Sequence, residues 1–223
     1  MDELITYGPE LAVGFLNNLK LSLVIAVFSL IVGTILAAMR VSPTPVLRAA
    51  GTAYVNVVRN TPLTLVLAFC YLGLSDTLGL IFSHEEPLTN SFWLAVLGMS
   101  AYTAAFVCES LRAGINTVPM GQAEAARAIG LTFFQSLRLV ILPQATRSVI
   151  APLGSVLIAM IKNTTVVAAA GYTVDVANVM KTTFDTTGVS IPIFLGIVAA
   201  FVVLILPIGY FSGWLAKRMA VAR

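Results

Sequence analysis

Five stretches of this chain are almost free of charge, and they limit what it can fold into. Residues 21–39, 87–108 and 186–216 contain no Asp, Glu, Lys or Arg; residues 49–75 contain only Arg59, and residues 148–174 only Lys162. A bilayer core about 30 Å thick is crossed by about 20 apolar helical residues. Each stretch meets that length, which predicts an all-α integral membrane protein. Its five spans lie near 16–39, 51–75, 91–115, 147–170 and 191–215, in one transmembrane domain over residues 1–223. Composition agrees, since 58% of residues are hydrophobic and 10% charged, against about 25% charge in soluble domains. The start is acidic (Asp2, Glu3, Glu10), unlike a cleavable signal, so the first run reads as a retained span.

Charge between the spans is sorted by side. One set of connections holds Arg40, Arg48, Arg112, Arg127, Arg138, Arg147, Lys217, Arg218 and Arg223. The other holds Lys20 and Lys181 with Asp2, Glu3, Glu10, Asp76, Glu85, Glu86, Asp175 and Asp185. Basic loops stay in the cytoplasm. The expected arrangement is therefore a multi-pass cell-membrane protein with its N-terminus outside and its C-terminus inside.

The longest basic connection, 116–146, reads as a helix–turn–helix facing the cytoplasm. Pro119 suits a first helical turn. The alanine-rich run Gln122–Ile129 follows, and Gly130 is placed to end it in a left-handed conformation. Thr132 and Gln135 form a Thr-x-x-Gln capping box that starts a second helix, expected to run to Pro143. At about a dozen residues that helix is too short to cross.

Glu124-Ala125-Ala126-Arg127-Ala128-Ile129-Gly130, closed by Ile141-Leu142-Pro143, resembles the "EAA" coupling loop of ABC importer permeases. Arg59-Asn60-Thr61-Pro62-Leu63, Glu109-x-x-Arg112-x-Gly114-Ile115, Pro119-x-Gly121-Gln122 and Lys162-Asn163-Thr164-Thr165 resemble stretches of the polar amino-acid permeases. Met39–Pro43 and Val58–Leu65 look closer still to the glutamate importer permeases of actinobacteria. Cys108 departs from the small residue, such as alanine, found there. The resemblance implies the type I ABC importer fold and a permease for glutamate or another polar amino acid. It implies that Gln122, Glu124, Ala125, Ala126, Gly130 and Pro143 dock on a cytoplasmic ATPase dimer, which holds the ATP and Mg. A second permease subunit, the same chain or a homologue, and an external substrate-binding protein complete the assembly. The expected partners are these, the amino acid and the bilayer, with no nucleic acid.

Charges within spans are costly and are paired or line cavities. Arg59 and Glu109 fall at similar depth with opposite sign, so they read as a pair, either a structural tie or part of a cytoplasmic gate. Lys162 lies about 15 residues into the fourth span, roughly 22 Å deep on a straight helix, with no acidic residue obviously at its level. It either meets a substrate carboxylate, helped by Asn163, Thr164 and Thr165, or snorkels to the outer surface. Arg59, Asn60, Thr61 and Glu109 complete the candidate pathway residues.

Other chemistry finds little support. One histidine, His84, rules out a multi-histidine metal site or a histidine-based triad of sensible placement, and Cys70 and Cys108 read as packing residues. There is no Gly-x-x-x-x-Gly-Lys loop, so catalysis by this chain is not expected. The rival readings are a permease for another small solute, such as an amino-acid derivative, and a non-transporting membrane scaffold. The 116–146 features weigh against the scaffold. A secondary transporter would show internal repeats, and none is evident.

Overall fold

The computed structural model describes residues 2–219, with side chains from Ile5 onward. Arg223 and the side chains of Asp2 and Glu3, counted above for orientation, lie outside that range. The described residues form helices α1 (Asp2–Val41), α2 (Pro45–Arg59), α3 (Leu63–Ala68), α4 (Pro87–Asn116), α5 (Met120–Ala128), α6 (Phe133–Ser136), α7 (Leu142–Asn163), α8 (Val176–Thr187) and α9 (Ile191–Met219). Three wider or tighter stretches extend them: π-helical Phe69–Thr77 after α3, π-helical Leu137–Ile141 between α6 and α7, and 3₁₀-helical Thr164–Ala170 after α7. No strand occurs among the described residues.

Helix α4 is the centre of the bundle. In its most apolar window 67% of residues are buried, against 6% in α9. Packing of α4 on α1 and on α7 accounts for the largest interfaces. A shared core joins Leu21 and Ile25 of α1, Leu67 of α3, Ala95 and Met99 of α4, and Val167. Gly114 permits the approach of α4 to α7, because a Cβ there would sit 2.0 Å from Val149 Cγ2. Small residues at such crossings let membrane helices pack backbone to backbone, where lipid supplies no hydrophobic drive.

Several boundaries differ from the sequence expectation. The first span is longer, with α1 running 40 residues, or about 60 Å on the helical rise. The second span is not one helix over 51–75. It bends by 104° between Pro45–Arg59 and Leu63–Thr77. Pro62 cannot donate into a continuing helix and disfavours helical backbone at Thr61. Depths counted along a straight second span therefore do not apply to Arg59, which is the last residue of α2. The third and fifth spans cover Pro87–Asn116 and Ile191–Met219.

The largest correction falls after Thr132. The second helix of the 116–146 segment does not stop at Pro143. It continues through the π-helical stretch into α7, and Phe133–Ala170 forms one apolar helical run. Pro143 lies in the first turn of α7, where its missing N–H falls in the wider-wound junction. Helix α8, between the fourth and fifth spans, has no counterpart in the expectation.

Candidate functional site

The sequence candidates gather at three places, and a fourth was not anticipated. The first is the turn after α5. Gly130 has φ 89°, its N–H donates to Arg127 O, and Leu131 N–H donates to Ala126 O. These two bonds form the pattern that ends a helix on a left-handed residue. Thr132 Oγ1 accepts from Gln135 N, and Gln135 Oε1 accepts from Thr132 N, so both halves of the capping box form. The stiff turn presents Ile129 at 78% exposure and Phe134 at 74%, with Met120 at 77% at the start of α5. Gln122, Glu124 and Ala125 are exposed beside them, Ala126 is buried, and Pro143 is exposed.

The second place is a charged cluster at the basic end of α1, α2 and α4. Glu109 accepts from Arg40 through Oε1 and from Arg112 through Oε2 at 3.3 Å. Arg59 stands 3.6 Å from the same Oε2, beyond hydrogen-bond range. The Arg59–Glu109 pairing read from sequence is present as an ion pair, but it is the loosest of three. Arg40 is the tight partner, with a side chain only 9% exposed. Helix lengths from sequence could not find it, because the contact depends on how the end of α1 crosses α4.

The third place is a groove of about 360 Å³ lined by Tyr102, Thr103 and Phe106 of α4 and by Ser155, Met160 and Asn163 of α7. The Arg59 guanidinium lies over the Phe106 ring, 5.6 Å from its centroid, a cation–π distance. The charged cluster and the groove thus share a wall. Asn163 faces the groove, but its neighbours divide. Lys162 is exposed, with no ion pair among the described residues. Thr165 Oγ1 donates to Lys162 O. Thr164 is fully buried, donates to Ile161 O and accepts from Asn18 Nδ2, so its hydroxyl is engaged in packing. Asn60 and Thr61 bond back to Asn56 O and Val57 O, closing off the end of α2.

The unanticipated place is the opposite end of the bundle. Asn18 on α1 donates to Thr164 O and Thr164 Oγ1, and its Oδ1 accepts from Val176 N. Asn17 donates to Val174 O. Asp175 caps α8, with Oδ2 accepting from Ala177 N. The residue is fully buried, and its Oδ1 has no partner among the described residues. Burial pushes its carboxyl from the ordinary 3.8 up to about 6, against the pull of backbone N–H groups at Ala177, Asn178 and Asp175. The sequence signal for this junction was Asp175 immediately before apolar residues at helical spacing, Val176, Val179 and Met180, the mark of an N-cap.

Comparison with known proteins places these features in context. Residues 29–221 match the family described as binding-protein-dependent transport system inner membrane component. The glutamate transport system permease protein of Corynebacterium efficiens is 48% identical over 221 residues, 97% of this chain and 96% of that one. The arginine transport system permease protein of Corynebacterium glutamicum is 36% identical over 174 residues, 76% of this chain and 55% of that one. Among solved structures, an amino acid ABC transporter crystallised with histidines superposes with a TM-score of 0.85 at 27% identity, covering 97% of both chains.

Proposed function

The chain belongs to the family of inner membrane components of binding-protein-dependent transport systems, and from that premise we propose that it is a permease subunit of an ATP-driven importer for glutamate. The observation that carries the substrate is the 48% identity, over nearly full length, with a permease named for glutamate transport. The 36% identity to an arginine permease shows that family membership alone leaves the side chain open.

The proposed assembly pairs this chain with a second permease, either a homologue or a copy of itself. Two ATPase subunits sit below, and a binding protein delivers solute from outside. The N-terminus lies outside and the C-terminus in the cytoplasm, following the arginine bias of the loops. The turn after α5 then faces the ATPase. Its apolar tip at Ile129 and Phe134 supplies buried area, and Glu124 supplies a carboxylate for donors on the partner. Because α6 runs without a break into α7, a push on this turn is delivered directly to the wall of the Asn163 groove. Solute passes along that groove, where Asn163 meets the α-carboxylate shared by all amino acids, and Lys162, exposed next to it in sequence but outside the groove lining, adds a positive charge. ATP and Mg are bound by the partner, and this chain holds neither.

The test is uptake of labelled glutamate by the assembled importer in proteoliposomes, alongside Glu124→Ala and Gly130→Pro. Wild-type glutamate uptake with loss in both variants, and retained membrane insertion, is the expected result. Normal uptake in both variants defeats the coupling role. Uptake of a different amino acid in place of glutamate defeats the substrate assignment while leaving the permease reading intact.

A further inference from the structure

The groove between α4 and α7 holds a hydroxyl that bonds to nothing. Thr103 lines it and is only 3% exposed, yet its Oγ1 has no hydrogen bond among the described residues. Hydroxyls inside helices ordinarily turn back to a carbonyl of the preceding turn, as Ser91 and Ser110 of α4 do towards Pro87 O and Phe106 O. Ser100, one turn away, is also unpartnered, but its oxygen is sealed and it lines a different slot, among Phe28, Tyr54 and Trp93. Of these two hydroxyls, only that of Thr103 belongs to the groove.

Leaving such a group unmade costs stability, and native structures keep few of them without a reason. A ligand bound at one stage of a transport cycle supplies one. The facing wall carries a second free polar group, since the Asn163 carboxamide on α7 makes no hydrogen bond among the described residues. Gly114 packs on Val149. Counting back along these two antiparallel helices brings Thr103 level with Met160, and puts Asn163 one turn, roughly 4.5 Å, farther out. No Asp or Glu is among the groove's walls, and Val156, Ala159 and Met160 beside these two groups are apolar. A hydroxyl and a carboxamide each donate and accept. About a turn apart on facing walls, they fit a small head group that carries an ammonium and a carboxylate on one carbon, which needs acceptors and donors together.

We propose that Thr103 is a solute-binding residue of the pathway, its hydroxyl meeting the charged head group of a free α-amino acid from the α4 wall, opposite Asn163. The inference rests on the reading that solute passes along this groove, and not on which side chain the solute carries. Two effects should then part company. Thr103→Val keeps the branched shape and removes only a hydroxyl that has no protein partner. The variant should be at least as stable as wild type and yet bind solute worse.

The purified complex of permease and ATPase subunits is dialysed to equilibrium against labelled glutamate without binding protein, so that the affinity read is that of the membrane site. Should uptake assign another amino acid, that one is the probe. Thr103→Val should weaken binding on the order of tenfold or more, the scale of one hydrogen bond to a charged group. Thr103→Ser should restore most of it, and the unfolding midpoint of the valine variant should not fall. Ser100→Ala, which removes the sealed hydroxyl, should leave affinity unchanged. Thr103→Ala gives a second deletion should the valine variant assemble poorly. Wild-type affinity in Thr103→Val with weakened binding in Asn163→Ala would overturn the proposal and leave the groove reading standing. Wild-type affinity in both, or no binding by the wild-type complex, would overturn the two together. Weakened binding with a lowered midpoint, or without recovery in Thr103→Ser, would make Thr103 a packing residue and would also overturn the proposal.

Discussion

The two ends of the bundle are fastened in different ways. At the α8 end the fastening is short-range and sealed: Asn18 makes three bonds to uncharged partners, and the carboxyl of Asp175 is fully buried. At the basic end it is ionic and partly wet, with one carboxylate facing three guanidiniums at contacts that loosen from Arg40 to Arg112 to Arg59. Neutral hydrogen bonds inside a dry junction hold one geometry, since any departure leaves a buried donor or acceptor unmade. Ion pairs around one carboxylate can trade partners with little loss while a charge remains opposite. An alternating-access protein needs an end that can rearrange, and the basic end has the looser fastening.

The largest effect is expected from removing the shared carboxylate. Glu109→Ala leaves Arg40 nearly buried and uncompensated, a situation that costs about 3–5 kcal/mol. Thermal unfolding of the purified complex should show a large drop, and Glu109→Asp should restore part of it. A Glu109→Ala variant as stable as wild type would mean that the cluster fastens nothing. Next comes Asn18→Ala, which strands the Val176 N–H and the Thr164 carbonyl. At about 1–3 kcal/mol per unmade buried partner, the expected loss is roughly 3 kcal/mol. Unlike the Glu109 effect, it should be insensitive to salt, because no charge is involved. Stability measured at low and high ionic strength separates the two ends directly.

The spans and the turn after α5 were legible in the sequence, the fastenings at the two ends only in part, and the reason for the remainder is geometric. Charge-free runs placed the spans because a bilayer imposes length on any helix that crosses it. Gly130 and the Thr132–Gln135 box were legible because caps depend on residues three or four apart. Arg59 and Glu109 could be paired by depth alone, although Pro62 breaks the helix on which that depth was counted. Arg40 could not be found, since its contact joins residues 69 positions apart through a helix crossing. Asn18 was equally silent, because a lone asparagine in an apolar helix gives no hint that its partners lie more than 140 residues on. The continuity of α6 with α7 was hidden by Pro143, which reads as a stop and is accommodated by a π-helical joint.

Asp175 makes the sealed end sensitive to pH. Its folded-state pKa, about 6, lies above the ordinary 3.8. A shift of about two units corresponds to roughly 3 kcal/mol at most. An acid whose pKa rises on folding contributes stability that is complete below the unfolded value and lost as pH rises through the folded one. The sealed end should therefore tighten as pH falls from about 6 towards 4. Asp175→Asn keeps an N-capping oxygen and cannot ionise, so it should flatten that slope and equal or exceed wild-type stability at neutral pH. A slope unchanged in the asparagine variant would place the titrating group elsewhere.

The smallest effect is expected at Arg59. It is 43% exposed, 3.6 Å from Glu109 and stacked on Phe106, and exposed pairs contribute only about 0–1 kcal/mol. Arg59→Gln should thus leave unfolding almost unchanged, because Arg40 and Arg112 still hold the carboxylate. Its consequence should appear in function, since Arg59 is the guanidinium that touches both the cluster and the groove wall. If the basic end rearranges by exchanging partners on Glu109, Arg59 is the partner most easily released. Its loss should change the uptake rate more than the stability. Arg59→Lys separates charge from shape: lysine keeps the cation but loses the planar stacking on Phe106. Uptake restored by lysine would mean that charge alone matters. Uptake impaired equally in both variants would assign the role to the stack. A large loss of stability in Arg59→Gln would show that the third ion pair is a structural tie, and the two ends would then differ less than their geometry implies.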